Sequence, residues 1–216
     1  MDLDLIVRVF GFFAQAAWVT VEISVLALAV GLCVGFSAAL AKISDHAALS
    51  LPARVYVSVF RGTPALVQLF VIYFGGPQIG LQLEPFEAGV LGLGLNIGAY
   101  MTESIRGAIV AVDRGQNEAA RCLGLGRLQA MRKVILPQAA RLMIRPLGVN
   151  SIALIKGSAL VSAISVVELT YTAHRYISST YRPFEMFMLS AAFYLIIITV
   201  ASQLIRTLDA RFALRT

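Results

Sequence analysis

From Phe10 to Ala41 the chain has one charged residue, Glu22, and no proline. Apolar blocks of about 18 residues or more are what a bilayer core of about 30 Å requires of a helix. Further blocks follow, and the whole reads as five spans at about 12–41, 53–76, 86–110, 135–168 and 185–207. With 58% hydrophobic and 14% charged residues, the chain departs from the roughly 45–50% and 25% of soluble domains. The blocks lack the dyad alternation of a membrane β-barrel, so helices are expected. The expected fold is an all-α integral membrane domain covering 1–216, with no repeat, low-complexity run or second domain. Met1 to Arg8 is acidic rather than basic and the first block is too long for a signal-peptide core, so the segment is expected to stay as a span.

The net charge of +6 raises the question of nucleic acid, and the placement of the basic residues answers it. Lys42, Arg54, Arg61, Arg106, Arg114, Arg121, Arg127, Arg132, Lys133, Arg141, Arg145, Arg206, Arg211 and Arg215 fall on one side of the five spans. Arg8, Arg175 and Arg182 fall on the other, and Lys156 is expected to be buried. Fourteen against three is the asymmetry of the positive-inside rule. It predicts an outside N-terminus, a cytoplasmic C-terminus and lipid, not nucleic acid, as the surrounding partner.

The longest polar connection, about 113–134 (DRGQNEAARCLGLGRLQAMRKV in its core), is predicted to be a structured cytoplasmic element of short helices broken at Gly124 and Gly126. The fourth span is interrupted by Pro146, Gly148, Asn150, Lys156, Gly157 and Ser158. Irregular backbone at membrane depth survives only against protein or a wet cavity, so this span is expected to be broken and to face the interior. Phosphate-cradling strings of the form GxxxxGK[ST] are absent from the sequence, so a nucleotide would have to be bound by a partner.

Three strings occur in order: FRGTPALVQLF at 60–70, AYMTESIRGAI at 99–109, and GQNEAARCLGLGRLQAMRKVILPQAARLMIRP at 115–146. On these strings the sequence resembles the membrane permease subunits of polar amino acid ABC importers, the family of histidine, glutamine, arginine and cystine permeases. The resemblance implies the type I importer fold, with five spans and short cytoplasmic coupling helices. It implies a subunit that is not an enzyme and holds no cofactor, with ATP and magnesium bound by two copies of a partner ATPase. It implies a second permease subunit, identical or similar, and an external amino acid binding protein, all at a bacterial inner membrane. The spacing leans to the cystine, arginine or glutamine type of substrate. The coupling residues implied are Glu118, Ala119, Ala120, Leu123, Gly124 and Gly126. Small residues let a helix seat closely in a groove and glycines turn the chain, which agrees with that role.

The motif Arg61, Gly62, Thr63 and Pro64 resembles the family's start of the second span, with Thr63 expected to cap and Pro64 to preset the first turn. Glu103 lies in an apolar span, where an ionisable group is a site candidate unless Arg106, three residues on, neutralises it. Lys156 and Ser158 are candidates for a zwitterion's carboxylate, unless Lys156 pairs with an internal acid such as Glu168. The family more often has Lys-Asp-Thr-Ser-Leu where this chain has Lys156-Gly157-Ser158-Ala159-Leu160, so an acid is missing here. Asn96 and Asn150 either line the pathway or hydrogen-bond between helices.

Cys33 and Cys122 have neither metal-ligand nor disulfide spacing, and His46 and His174 stand without companions at ligand spacing. Two rival readings remain. A secondary transporter or channel subunit shares broken helices and buried charges, but five spans without a repeat and a docking-like loop argue for a subunit. An intramembrane serine hydrolase would use Ser158 and His174, yet His174 falls in an outer loop and an oxyanion-hole motif is lacking.

Overall fold

The computed structural model describes residues 3–212, and these are helical with tight turns between. Helix α1 (Leu3–Ile43) has 41 residues, about 60 Å at 1.5 Å per residue, and outreaches the hydrocarbon core. Helix α2 (Ala47–Gly62) is followed by α3 (Ala65–Phe70), a π turn at Val71–Gly75 and a 3-10 turn at Gly76–Ile79. Helix α4 (Pro85–Val110) leads to the short α5 (Arg114–Cys122) and α6 (Arg127–Ala130). After a π turn, α7 (Leu136–Gly157) tightens into a 3-10 segment at Ser158–Ile164, and α8 (Leu169–Thr180) and α9 (Pro183–Phe212) complete the chain.

By length and composition three of these helical stretches cross a membrane: Asp4–Ile43, Arg127–Ile164 and Pro183–Phe212. The α2–α3 pair qualifies as a fourth only when the pair is taken together, because it is bent by 110°. The expected straight span over 53–76 is therefore corrected to a broken one. Pro64 has no N–H to donate and disfavours helical backbone in the residue before it, and Thr63 accordingly lies at φ −122°, ψ 151°. Thr63 does not cap α3; its hydroxyl donates to the Val59 carbonyl at 2.8 Å, and α3 begins at Pro64 without a side-chain cap. Helix α4, with 26 residues, is about 39 Å long. Its polar Asn96, Glu103 and Arg106 lower its hydropathy, and its glycines and Ile97, Met101 and Ile105 are buried against neighbours.

The fourth span is corrected in the opposite sense. Pro146 sits inside the continuous α7, and the helix narrows at Ser158–Ile164 without a break until Ser165 turns the chain at φ +69°. Helix α8 was not foreseen, since its LTYTAHRYISST sequence has no apolar block.

The most extensive packing is between α1 and α4, which run parallel: residue 23 meets 89, residue 30 meets 94, residue 35 meets 101 and Lys42 meets Glu103. A Cβ on Gly35 would sit 3.0 Å from the Gly98 carbonyl oxygen, and one on Gly98 would sit 3.2 Å from that of Gly31. The two backbones thus touch along a seam of Gly31, Gly35, Gly94 and Gly98, as small-xxx-small helix pairs do in lipid. Helix α7 opposes α4 in direction and α9 opposes α7, with Arg145 bonded to Asp209 at 2.9 Å and Asn150 to Ser104 at 2.9 Å. Toward the N-terminal half of α1, Phe10 and Phe13 pack on Phe193 and Tyr176, and Thr20 accepts the Leu169 amide. Toward its C-terminal end lie α5, α6 and the ion pairs of Lys42, Arg106, Arg127 and Arg145.

Candidate functional site

At the α5–α6 end the chain forms an exposed corner. Asp113 caps α5 by accepting the Gly115 amide at 2.7 Å, which satisfies an orphan N–H at the positive end of the helix. The helix stops at Gly124, whose φ of +76° is the left-handed conformation glycine adopts without a steric cost. Its amide donates to Arg121 and the Leu125 amide to Ala120, at 2.9 and 3.0 Å, closing the last turn. The side chains divide by face. Ala120 is buried against the chain itself, whereas Glu118 and Ala119 are exposed and Leu123 and Leu128 stand 81% and 80% exposed. A Cβ on Gly124 or Gly126 would meet nothing within 4 Å. Sequence reasoning did not single out Leu128, although its place between Arg127 and the polar Gln129 in a non-spanning segment was the available signal.

The corner is tied to the bundle at two points. Gln138 on α7 donates to Gln116 on α5 at 3.0 Å, and Arg127 on α6 is bonded to Asp45 in the α1–α2 connection. The Arg127 guanidinium, through that hydrogen bond and its charge, holds the Asp45 carboxyl below the usual carboxylate range. Between the corner and the ends of α1 and α4 lies a cavity of about 470 Å³, lined among others by Asp45, Ile109, Asn117 and Arg121.

Deeper in, the bend of α2–α3 exposes carbonyls that a straight helix would have used. Gln68 donates to the Phe60 and Thr63 carbonyls at 3.0 Å each and to the Thr63 hydroxyl at 2.8 Å. Asn96 reaches from α4 to the Phe60 carbonyl at 3.2 Å and to the Gln68 amide oxygen at 2.9 Å. One glutamine and one asparagine thus satisfy the broken backbone. Tyr56 secures α2 by donating to the Leu95 carbonyl at 2.6 Å.

Beside this bend a cavity of about 240 Å³ opens between α3, α4 and α7, lined by Ala65, Asn96, Tyr100, Asn150, Gly157 and Leu160 among others. Arg61 lies over the Tyr100 ring, its guanidinium carbon 5.3 Å from the centroid. Two candidates fall elsewhere. Glu103 is held by Lys42 of α1 and by Arg106, whose nitrogens are 3.1 and 3.0 Å from the second carboxylate oxygen. Ser158 is fully buried and donates to the Ile155 carbonyl at 2.7 Å.

Lys156 corrects two expectations. It is exposed rather than buried, and among the described residues it makes no ion pair. The postulated acid, Glu168, is buried and is occupied by the Tyr171 amide and the Tyr194 hydroxyl, each at 2.8 Å. Its work is to cap α8. Among the described residues no group of three or more His, Cys, Asp or Glu is arranged to hold a metal. His174 lies edge-on to Phe187 on α9, in the same connection as expected, and Ser158 is turned away into the interior.

The model of a family described as binding-protein-dependent transport system inner membrane component matches residues 31–214. The glutamine transport system permease protein GlnP of Escherichia coli (strain K12) is 41% identical over 204 residues, covering 91% of each chain. The nopaline transport system permease protein NocM of Agrobacterium fabrum is 37% identical over 215 residues, 95% of this chain and 89% of that one. A crystal structure of an amino acid ABC transporter with histidines contains a chain 40% identical, with a TM-score of 0.91 over 98% of this chain and 99% of its own. The inward-facing MetNI methionine ABC transporter, at 19% identity, shares the fold with a TM-score of 0.82 over 95% of this chain and 98% of that one.

Proposed function

We infer that this chain, which belongs to the family of binding-protein-dependent transport system inner membrane components, is the membrane-spanning subunit of an ATP-driven importer for a polar L-amino acid. Relatives named for amino acid transport that align along nine-tenths of the chain support the substrate class, and the glutamine permease supports that member of the cystine, arginine and glutamine set. The observation that carries the mechanism is the exposed corner with its two protruding leucines on a hydrogen-bonded glycine turn.

In this reading the corner faces the cytoplasm and the N-terminus faces outside, as the basic residues favour. Leu123 and Leu128 seat in a groove of the partner ATPase, Glu118 gives a polar rim contact, and exposed Ala119 with Gly124 and Gly126 lets the two chains approach closely. ATP and magnesium are held by that partner, so this chain needs no cofactor of its own. ATPase closure pushes the corner, and the ties from Arg127 to Asp45 and from Gln116 to Gln138 pass the push to α1, α2 and α7. Two such permease subunits enclose the pathway, two ATPases drive it, and an external binding protein delivers the amino acid. ATP and the loaded binding protein bias the inward-to-outward equilibrium because each binds the two states with different affinity.

The test is ATPase activity of the complex in lipid, with its ATPase and binding protein, across the polar amino acids. The expected result is stimulation by an amino acid, and in Glu118→Lys a loss of about tenfold or more in uptake per ATP hydrolysed with the protein still inserted. Normal coupling in the well-expressed mutant removes the docking role of Glu118. Solute movement by the chain alone, with no ATPase bound, would return the secondary-transporter reading.

A further inference from the structure

We propose that the cavity of about 470 Å³ between α5, the α1–α2 connection and the end of α4 is a binding site for an anionic phospholipid, with Arg114 and Arg121 on its phosphodiester. Its wall includes neither Leu123 nor Leu128, so the site occupies a different face of the corner from the one assigned to the ATPase. The inference rests on the import reading above for its leaflet, the cytoplasmic one, and adds a lipid ligand to the subunit.

The position of the cavity follows from where the helices end. Helix α1 finishes at Ile43 and α4 at Val110, and both residues line the cavity together with the polar connections that follow them. The wall therefore passes from hydrocarbon to charge over a short distance. Ile109 and Ile135 form a buried apolar part, and Val110, in the same wall, is 62% exposed. Apolar surface gives nothing to a hydrated inorganic ion, but it covers the glycerol and first methylenes of a lipid whose headgroup sits among the cations.

The charges decide which headgroup fits. The wall carries the guanidiniums of Arg114, Arg121 and Arg127 and the carboxylates of Asp45 and Asp113. Both carboxylates are engaged by the chain, Asp45 by Arg127 and Asp113 by the Gly115 amide at 2.7 Å. Arg114 and Arg121 form no ion pair among the described residues, although Glu118 lies four residues from one and three from the other. Spacings of three and four place Arg114, Asn117 and Arg121 on one face of α5, with the two arginines about 10 Å apart along the axis. Two long side chains at that separation converge on one phosphate from opposite sides. The arginine fork takes phosphate oxygens in bidentate fashion, and the Asn117 amide between them is a neutral donor. A lipid held there joins α5 to the α1–α2 connection, beside the tie from Arg127 to Asp45.

The experiment titrates the detergent-purified permease–ATPase complex with phosphatidylglycerol and, separately, with phosphatidylcholine, and counts bound lipid by native mass spectrometry. Phosphatidylglycerol is expected to bind about tenfold or more tightly. Arg114→Gln with Arg121→Gln should remove that preference. Arg132→Gln with Arg141→Gln, an equal loss of charge at exposed positions outside the wall, should keep it. Val110→Asp, at an exposed position in the wall, should weaken phosphatidylglycerol and leave phosphatidylcholine unchanged. Equal binding of the two lipids, or the same loss in both double variants, overturns the inference. Inorganic phosphate that displaces phosphatidylglycerol at matched concentration also overturns it, because the ligand is then a soluble anion. Release of the ATPase from the Arg114 and Arg121 variant with lipid preference intact overturns it too, and marks those arginines as ATPase contacts. Amino acid-stimulated ATPase activity is read separately in the same preparation, with binding protein added. Absent lipid preference with stimulation intact fails this inference alone, and lipid preference without stimulation fails the import reading alone.

Discussion

Gln68 is the residue whose role was least legible before folding. In the sequence it is one polar side chain in FRGTPALVQLF; in the structure it spans three acceptors at the bend and anchors Asn96. Replacing it by leucine keeps the volume and leaves the Thr63 carbonyl without a side-chain donor. Because an unsatisfied buried polar group costs about 1–3 kcal/mol, Gln68→Leu should lower the thermal midpoint of the detergent-purified protein, as followed by size-exclusion of heated samples. An unchanged midpoint would mean water replaces the amide. Glu103 was half legible: Arg106 three residues away follows from helical spacing, but Lys42 lies 61 residues away in sequence and only the fold brings it close. Lys156 was misread because an apolar window reports that a residue is in a span without reporting which face it occupies.

At the scale of elements, the five expected apolar blocks all fall mainly on helix, although α4 over the expected 86–110 is not among the stretches that qualify as spans by length and composition and α1 begins well before the expected edge; a block reports length and hydropathy alone. They missed the 110° bend, because Pro64 adds little to a hydropathy sum and everything to the backbone. They also missed α8, which packs beside α1 and α9 through Leu169, Thr172 and Ala173 rather than through a continuous apolar face. The α1–α4 seam was available in the spacing of Gly31 and Gly35, the G-x-x-x-G pattern of close helix pairs, and was passed over. It gives a direct prediction. A Cβ on Gly98 would lie 2.8 Å from the Tyr56 hydroxyl and 3.2 Å from the Gly31 carbonyl, so Gly98→Leu forces the helices apart at about 1–3 kcal/mol or more. It should reduce the yield of folded protein in a fluorescence-detected size-exclusion assay, while Gly107→Leu, with open space around its Cβ, should not.

At the scale of the molecule, the exposed apolar side chains and the gathering of four of the five ion pairs among the described residues at one end, with Arg182–Glu185 at the other, fit a protein with lipid on its flanks and water at its ends. The orientation drawn from the arginines and lysines has a simple test, since both cysteines are free and exposed. Cys122 ends α5 at the corner and Cys33 lies in the middle of α1. A membrane-impermeant maleimide should label Cys122 in inverted vesicles and not in intact cells, and Cys33 in neither. Labelling of Cys122 in intact cells would invert the topology. The seam also limits how this sequence can change over evolutionary time. Each residue turns a helix by about 100°, so inserting or deleting a single residue between Ala27 and Ala39 would rotate half of α1 and face Gly35 away from Gly98. Substitutions along the outward faces can accumulate freely, whereas changes of length are confined to connections such as 44–46, 80–84 and 165–168, and the two longest-packed helices must keep their register as a pair.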